Sequence, residues 1–296
     1  MTNAIEIQGL VKSYGDVHAV RGIDLAIAEG EIFGFLGANG AGKTTTIEIL
    51  EGFRQRTAGE VRVLGQDPAT APLSWREELG IVLQESEVEG ELTALEALTL
   101  QAAYYARPRN SEEVLELVGL TESGGQRTNK LSGGQKRRLD LALALMGNPK
   151  LIFLDEPTTG FDPSARREAW EMIANLRSLG CTVLLTTHYM DEAQYLADRI
   201  AVINAGKIVA EGTASELADQ VAVTPRITWK ADDSVQVPEG FGAFREIESM
   251  IIETNDIVEV VHALTGWAKE QAVDLVDLDI VRPTLEDTFL QLTGGS

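Results

Sequence analysis

Apolar residues fall in short runs whose ends carry the chemistry. Residues 31–36, EIFGFL, form a run of buried-strand length, and TTTIEILEG follows a glycine loop with Ile47 and Leu50 suited to a helix. The predicted order is strand, glycine loop, helix. Residues 151–154, LIFL, read as a second buried strand closed by Asp155 and Glu156, and TVLLTT as a third that ends at His188. In LSGGQKRRLDLALALMGNP, Leu139, Ala142, Leu143 and Met146 repeat at i, i+3, i+4 and i+7, and Ser132 suits the N-cap of that helix. Between about residues 86 and 129 the chain is polar and helix-prone, with LTALEALTLQAAYYA and SEEVLELVGL as amphipathic pieces. After VINAGKIVAEG the composition changes, and GTASELADQVAVTP reads as a helix and linker, so a boundary is expected near Thr213. RITWK, ESMIIET and DLVDLDIV are strand candidates in the tail. IVEVVHALTGWAKEQAV is predicted helical with Val258, Val261, His262 and Trp267 partly on one face, His262 structural and Trp267 for packing or partner contact. A last helix, LEDTFLQL, is capped by Thr284 and Asp287 and stripes Leu285, Phe289 and Leu292.

With 296 residues, 44% of them hydrophobic and 24% charged, the chain can bury a full core in one large or two modest domains. It carries 46 acidic against 25 basic residues, a formal charge of -21, which argues against the clustered Lys and Arg that a nucleic-acid partner requires. The lone cysteine, Cys181, lies beside an apolar run and reads as a small buried hydrophobe, which fits a reducing compartment. The amino terminus lacks the charged start, apolar core and cleavage site of a secretory signal, so the mature chain is expected to begin there. No run reaches the 18 or so apolar residues of a spanning helix, and any membrane association is expected to come through a partner.

GANGAGKTT, residues 37–45, is built for a polyanion despite that net charge. Gly37, Gly42, Lys43 and Thr44 match the phosphate-loop spacing, with Asn39, Gly40, Ala41 and Thr45 completing the turn. Glycines let successive N–H groups converge on phosphate oxygens, and the following helix presents its partly positive end. Lys43 would reach the outer phosphates and the Thr44 hydroxyl would ligate magnesium. Asp155 suits the same metal, directly or through water, and Glu156 suits a base that takes a proton from the attacking water. Ser132, Gly133 and Gly134 at a helix N-terminus form a second anion-seeking turn. Sequence alone leaves open whether the two turns meet within one subunit or across two. Lys136, Arg137 and Arg138 are read mainly as a solvated helix face.

These motifs, with Gln84 in GIVLQES, LSGGQ at residues 131–135, Asp162 in GFDP and His188, occur in the order and spacing of the ATP-binding-cassette ATPases, which the chain resembles over about residues 4–212. The resemblance implies an α/β phosphate-loop fold with a helical subdomain at about residues 86–150, a linker at 213–224 and a small α+β accessory domain at 225–296. It implies a head-to-tail cassette dimer in which the signature loop, Ser132, Gly133, Gly134 and Gln135, covers the partner's ATP, with Asp162 acting across the interface. Tyr14 resembles the aromatic that stacks on adenine. Gln84 resembles the glutamine that senses magnesium and links to the membrane partner, and His188 the switch histidine on the terminal phosphate. Phe161 stands where leucine is commoner and Ala38 where proline is frequent; both leave the polar and glycine positions intact. The ending RPTLEDTFLQLTG is similar to the close of daunorubicin/doxorubicin exporter ATPases that pair with ABC type 2 permeases. The implied function is an ATPase subunit on the cytoplasmic face of the plasma membrane, using ATP and magnesium. A non-transport cassette ATPase on a soluble partner is the alternative, disfavoured by the single cassette and the lack of a long heptad insertion or basic stripe.

Overall fold

The computed structural model describes residues 2–83, 89–220, 224–230, 235, 237–247, 249–281 and 285–293. Gln84 and Thr284, both expected to matter, lie outside these residues. The chain divides into two compact units, Met1–Ala214 and Ser215–Ser296.

In the first unit, β1 (Asn3–Tyr14) and β2 (Val17–Ala28) pair as an antiparallel hairpin. They are followed by β3 (Ile32–Leu36), α1 (Lys43–Leu50), β4 (Ala58–Val63), the short α2 (Leu73–Arg76) and β5 (Leu79–Val82). Then come α3 (Ala94–Ala102), α4 (Ser111–Leu117), α5 (Gly133–Leu145), β6 (Leu151–Asp155), α6 (Pro163–Asn175), β7 (Thr182–Thr187), α7 (Met190–Leu196), β8 (Arg199–Asn204) and β9 (Lys207–Gly212). Among the described residues β2-β1-β4 form one antiparallel sheet, and β5-β6-β7-β3-β8-β9 a second that is parallel except at its β8–β9 edge.

The parallel strands are covered on both faces, which explains their unbroken apolar runs. Leu151 and Phe153 of β6 and Leu184 of β7 join Phe33, Phe35, Ile47, Leu50, Val61 and Trp75 on one side. Ile152, Leu154, Val183 and Leu185 face the other way, toward Leu98, Val114, Leu139, Ala142 and Ile173. The buried face of α5 is wider than the predicted stripe. Leu141, Ala144 and Leu145 are buried beside Leu139, Ala142 and Met146, whereas Leu143 is only half-buried. The cause is contact on several sides, because α5 packs on β5 and also on α3 and α4.

In β6, β7 and β3 the carboxyl ends align side by side, Asp155 opposite Thr186 and Leu36 opposite Thr187. The glycine loop, the two acids and His188 leave the sheet there, where parallel sheets gather ligands. Gly37 and Gly42 are obligatory for packing as well as for turning. A Cβ on Gly37 would lie 2.6 Å from the Ile203 carbonyl oxygen, and one on Gly42, whose φ is 111°, would lie 2.6 Å from that of Ala19.

From Ala214 the chain forms α8 (Ala214–Gln220), β10 (Arg226–Lys230), β11 (Phe244–Glu246), β12 (Ser249–Glu253), α9 (Ile257–Glu270), β13 (Val276–Val281) and α10 (Leu285–Thr293). Its antiparallel sheet runs β11-β12-β10-β13, and Ile227, Trp229, Met250, Ile252 and Leu264 make its core. The predicted face of α9 needs correction. Val260, Val261, Leu264, Trp267 and Ala268 face the sheet, while Val258 is 82% exposed and His262 is exposed too. A stripe centred on Leu264 rotates both of those positions to the solvent side.

Candidate functional site

Lys43 opens α1 directly after the glycine loop, only 5% exposed. Its Nζ donates to the carbonyl oxygens of Gly37 at 2.7 Å and Ala38 at 3.3 Å and lies 3.7 Å from Glu156 Oε1. Burial pulls its pKa below the ordinary lysine value, and the charges of Glu156 and Asp155 oppose that shift. Asn39, Gly40, Gly42, Lys43, Thr44, Thr45 and Glu156, with Ala19, line one cavity of about 320 Å³. Ala41 is buried behind it, and Thr44 is exposed at the helix start.

The two acids are held differently. Asp155 Oδ1 accepts from Thr186 Oγ1 at 2.5 Å. Glu156 adopts φ 47°, a left-handed conformation unusual for a side-chain-bearing residue. Its N–H donates to Thr186 at both Oγ1, 3.0 Å, and the carbonyl oxygen, 3.2 Å. The turn throws the Glu156 carboxylate toward the cavity, where Oε2 accepts from Thr159 Oγ1 at 3.2 Å and Oε1 lies 3.4 Å from His188 Nδ1. That His188 nitrogen has no hydrogen-bond partner among the described residues. Lys43, Glu156 and His188 therefore meet around one carboxylate, although the first two stand 113 positions apart in sequence.

Signature residues line a different, open concavity of about 880 Å³, shared by Ser132, Gly133, Gly134 and Gln135 with Asp162 and the turn before it. Ser132 and Gln135 cap α5 reciprocally: Gln135 N–H donates to Ser132 Oγ at 3.2 Å, and Ser132 N–H to Gln135 Oε1 at 2.9 Å. Asp162 caps α6, accepting from the N–H groups of Ser164 at 2.9 Å and Ala165 at 3.0 Å, with Pro163 at the first helical position. One chain thus does not bring its two anion-seeking turns into one cavity.

Tyr14 ends β1 and is not among the described residues that line the phosphate cavity; two cations lie on its ring, Lys12 Nζ at 4.8 Å and the Arg54 guanidinium at 5.3 Å from the centroid. Arg54 also pairs with Glu48 Oε2 at 2.5 Å, tying the Tyr14 turn to α1. Arg54, Thr159 and Thr186 carry no role in the sequence reading, the last two although they stand in DEPTTGFDP and TVLLTT beside residues that do. The reading of residues 136–138 as mainly a solvated face leaves room for one inward side chain, which is Arg137. Lys136 is exposed and Arg138 pairs with Glu168, but Arg137 turns inward beneath Asp155 and Glu156.

A family model described as "ABC transporter" matches residues 20–159. The chain is 37% identical to the daunorubicin resistance ATP-binding protein DrrA3 of Streptomyces coeruleorubidus, covering 98% of this chain and 96% of that one. It is also 37% identical to the Nod factor export ATP-binding protein I of Rhizobium johnstonii, over 98% and 95% of the two chains. Among solved structures, the dimeric post-hydrolysis state of the ATP-binding cassette MJ0796 bound to ADP and Pi is similar, with a TM-score of 0.63 and 27% identity. That likeness covers 71% of this chain and 98% of that one.

Proposed function

The chain belongs to the ATP-binding, ATP-hydrolysing subunits of ABC exporters, and we propose that it drives a separate ABC-2 type membrane permease by closing as a cassette dimer on two ATPs. The observation that carries the dimer is the bareness of Gly133 and Gly134. Neither has a left-handed φ, and a Cβ on either would meet nothing within 4 Å. Among the described residues nothing calls for glycine there, and glycine within a helix costs about 0.5–1 kcal/mol relative to alanine. What the glycines leave open is the N-terminal turn of α5, to which a second cassette could bring its phosphates. Solvent-side Asp162, in the same concavity, suits contact with that second chain.

On this reading the Gly37, Asn39, Gly40, Ala41, Gly42, Thr44 and Thr45 segment cradles the phosphates and Lys43 supplies the cation. Lys43 Nζ rests on the carbonyl oxygens of Gly37 and Ala38 within that loop. Glu156, held in its strained turn by Thr186, takes the proton of the attacking water, and His188, beside that carboxylate, contacts the terminal phosphate. The donor set fits magnesium: Thr44 and Asp155 offer hard oxygens, and this ion takes one or two protein ligands with phosphate and water completing its shell. Bound there, magnesium would offset charge on the outer phosphates. Gln84 would be a further ligand of it, and Tyr14 would stack on adenine once Lys12 and Arg54 yield its face. Residues 1–212 form the ATP-binding domain with helices near 86–150 docking the permease, 213–224 the linker and 225–296 an accessory domain. On the same reading the subunit sits on the cytoplasmic face of the plasma membrane through its permease. No helix among the described residues is long and apolar enough to cross a membrane.

Two measurements test this. Glu156→Gln should bind ATP as the parent does, lose turnover by about 10²-fold or more and accumulate as an ATP-bound dimer in gel filtration; near-normal hydrolysis would remove Glu156 from the role. Affinity purification from detergent-solubilised native membranes should retrieve a stoichiometric polytopic protein. Recovery of soluble partners alone would sink the permease reading and leave the nucleotide chemistry standing.

A further inference from the structure

The Arg137 side chain is 12% exposed although it projects from the first turns of α5. Burial depresses its pKa from the ordinary arginine value, and Asp140, Asp155 and Glu192 oppose that. Asp140 Oδ2, the carboxylate within ion-pair range, is 3.9 Å away. Closer partners among the described residues include main-chain carbonyl oxygens of two other segments. Nε donates to Pro157 at 3.0 Å, and Nη2 to Asp155 at 3.1 Å and Glu156 at 3.4 Å. Nη1 donates to Leu83, the residue that follows β5. A planar fork with five donors suits such a set of acceptors, and a lysine could satisfy only part of it.

Glu156 is the residue that needs this support. A non-glycine residue in the left-handed region is strained and persists only when its surroundings over-determine it. Thr186 grips the Glu156 peptide on its N–H side and Arg137 on its carbonyl side. Arg137 is also two residues beyond Gln135, so the same helix turn carries the signature capping box. The signature and Lys43 line separate cavities, so communication between them must run through the protein.

We propose that Arg137 is a positioning residue that couples the two nucleotide sites within one chain, linking the signature turn to the Glu156 backbone and to Leu83. The proposal rests on Glu156 as the base and on the signature turn as the partner-facing site. A displacement of the α5 N-terminus by an arriving nucleotide would then move the carbonyls of residues 155–157, and with them the carboxylate that acts on the chain's own nucleotide.

The test compares Arg137→Met, Arg137→Lys and Glu156→Gln with the parent in the full chain. Folding is followed by circular dichroism melting, affinity with trinitrophenyl-ATP, and kcat and KM by phosphate release. Arg137→Met is expected to bind the probe within threefold of the parent and to lose more than tenfold in kcat, with Arg137→Lys in between. Added to Glu156→Gln, Arg137→Met should slow single-turnover hydrolysis no further, because what it positions is already gone. A kcat within threefold of the parent, a loss matched by an equal loss of probe affinity, or a further independent loss in the double variant would each overturn the proposal. Should Arg137→Met not accumulate as folded protein, Arg137→Lys decides: lowered kcat at parental affinity supports the role, and parental kcat refutes it. Failure of the base reading shows separately, as turnover retained by Glu156→Gln.

Discussion

Glu51 closes α1 with its side chain almost wholly withdrawn from water, 3% exposed. Burial first, then the neighbouring charges of Asp155 and Glu48, push its pKa from 4.5 up to about 8. The folded chain therefore keeps a proton that the unfolded chain has released, so stability falls as pH rises through that window and levels off above it. Glu51→Gln, which mimics the protonated form, should flatten the slope and at pH 8.5 exceed the parent by up to about 5 kcal/mol, an order-of-magnitude figure. Urea unfolding at pH 5, 7 and 8.5 checks it; an unchanged slope in the variant would assign the pH dependence to another group. Residues of this kind mark the limit of sequence reading. Lys43, Thr44 and Asp155 are legible because glycine spacing and a strand end reserve places for them. Glu51 and Arg137 carry no such mark, since their partners are a buried setting and main-chain carbonyls, groups every residue has. Arg137 beside Lys136 and Arg138 looks like surface charge until β6 is placed under it.

At the scale of elements, runs whose period matches their surroundings were readable, and those packed on several sides or rotated by a tertiary partner were not. β6 and β7 announce themselves because both faces are covered. The stripe on α9 was misplaced because Val258 is apolar yet sits where the sheet does not reach, and periodicity weighs residue type without knowing which side the partner occupies. The signature helix offers the sharper test. Gly134→Ala puts a methyl into open space at a helical φ, so it should leave the melting temperature unchanged or raise stability by about 0.5–1 kcal/mol. If a second cassette's phosphates approach that turn, the same methyl should cut steady-state turnover at least tenfold while nucleotide affinity of the monomer stays parental. Turnover unaffected by a folded Gly134→Ala chain would mean that no ligand comes close to this surface.

For the whole molecule, the two units have separate hydrophobic clusters, and their energetics should separate as well. Trp229 is the largest fully buried side chain of the second unit, packed with Ile227, Met250, Ile252 and Leu264. Its truncation to alanine should cost about 3–5 kcal/mol. A unit of this size has only about 5–10 kcal/mol in hand, so Trp229→Ala should leave it partly unfolded at 37 °C. The Trp229 indole N–H has no hydrogen-bond partner among the described residues, so Trp229→Phe removes a buried unpaired donor along with some volume and should cost far less. Because the phosphate cavity draws every lining residue from the first unit, Trp229→Ala should keep parental ATP affinity, and limited proteolysis should leave a fragment ending near Ala214 that still binds nucleotide. Calorimetry of the variant should show the transition of the first unit at its parental temperature. A single transition shifted downward together with lost ATP affinity would mean that the units are energetically one, and that the tail supports the nucleotide site from a distance.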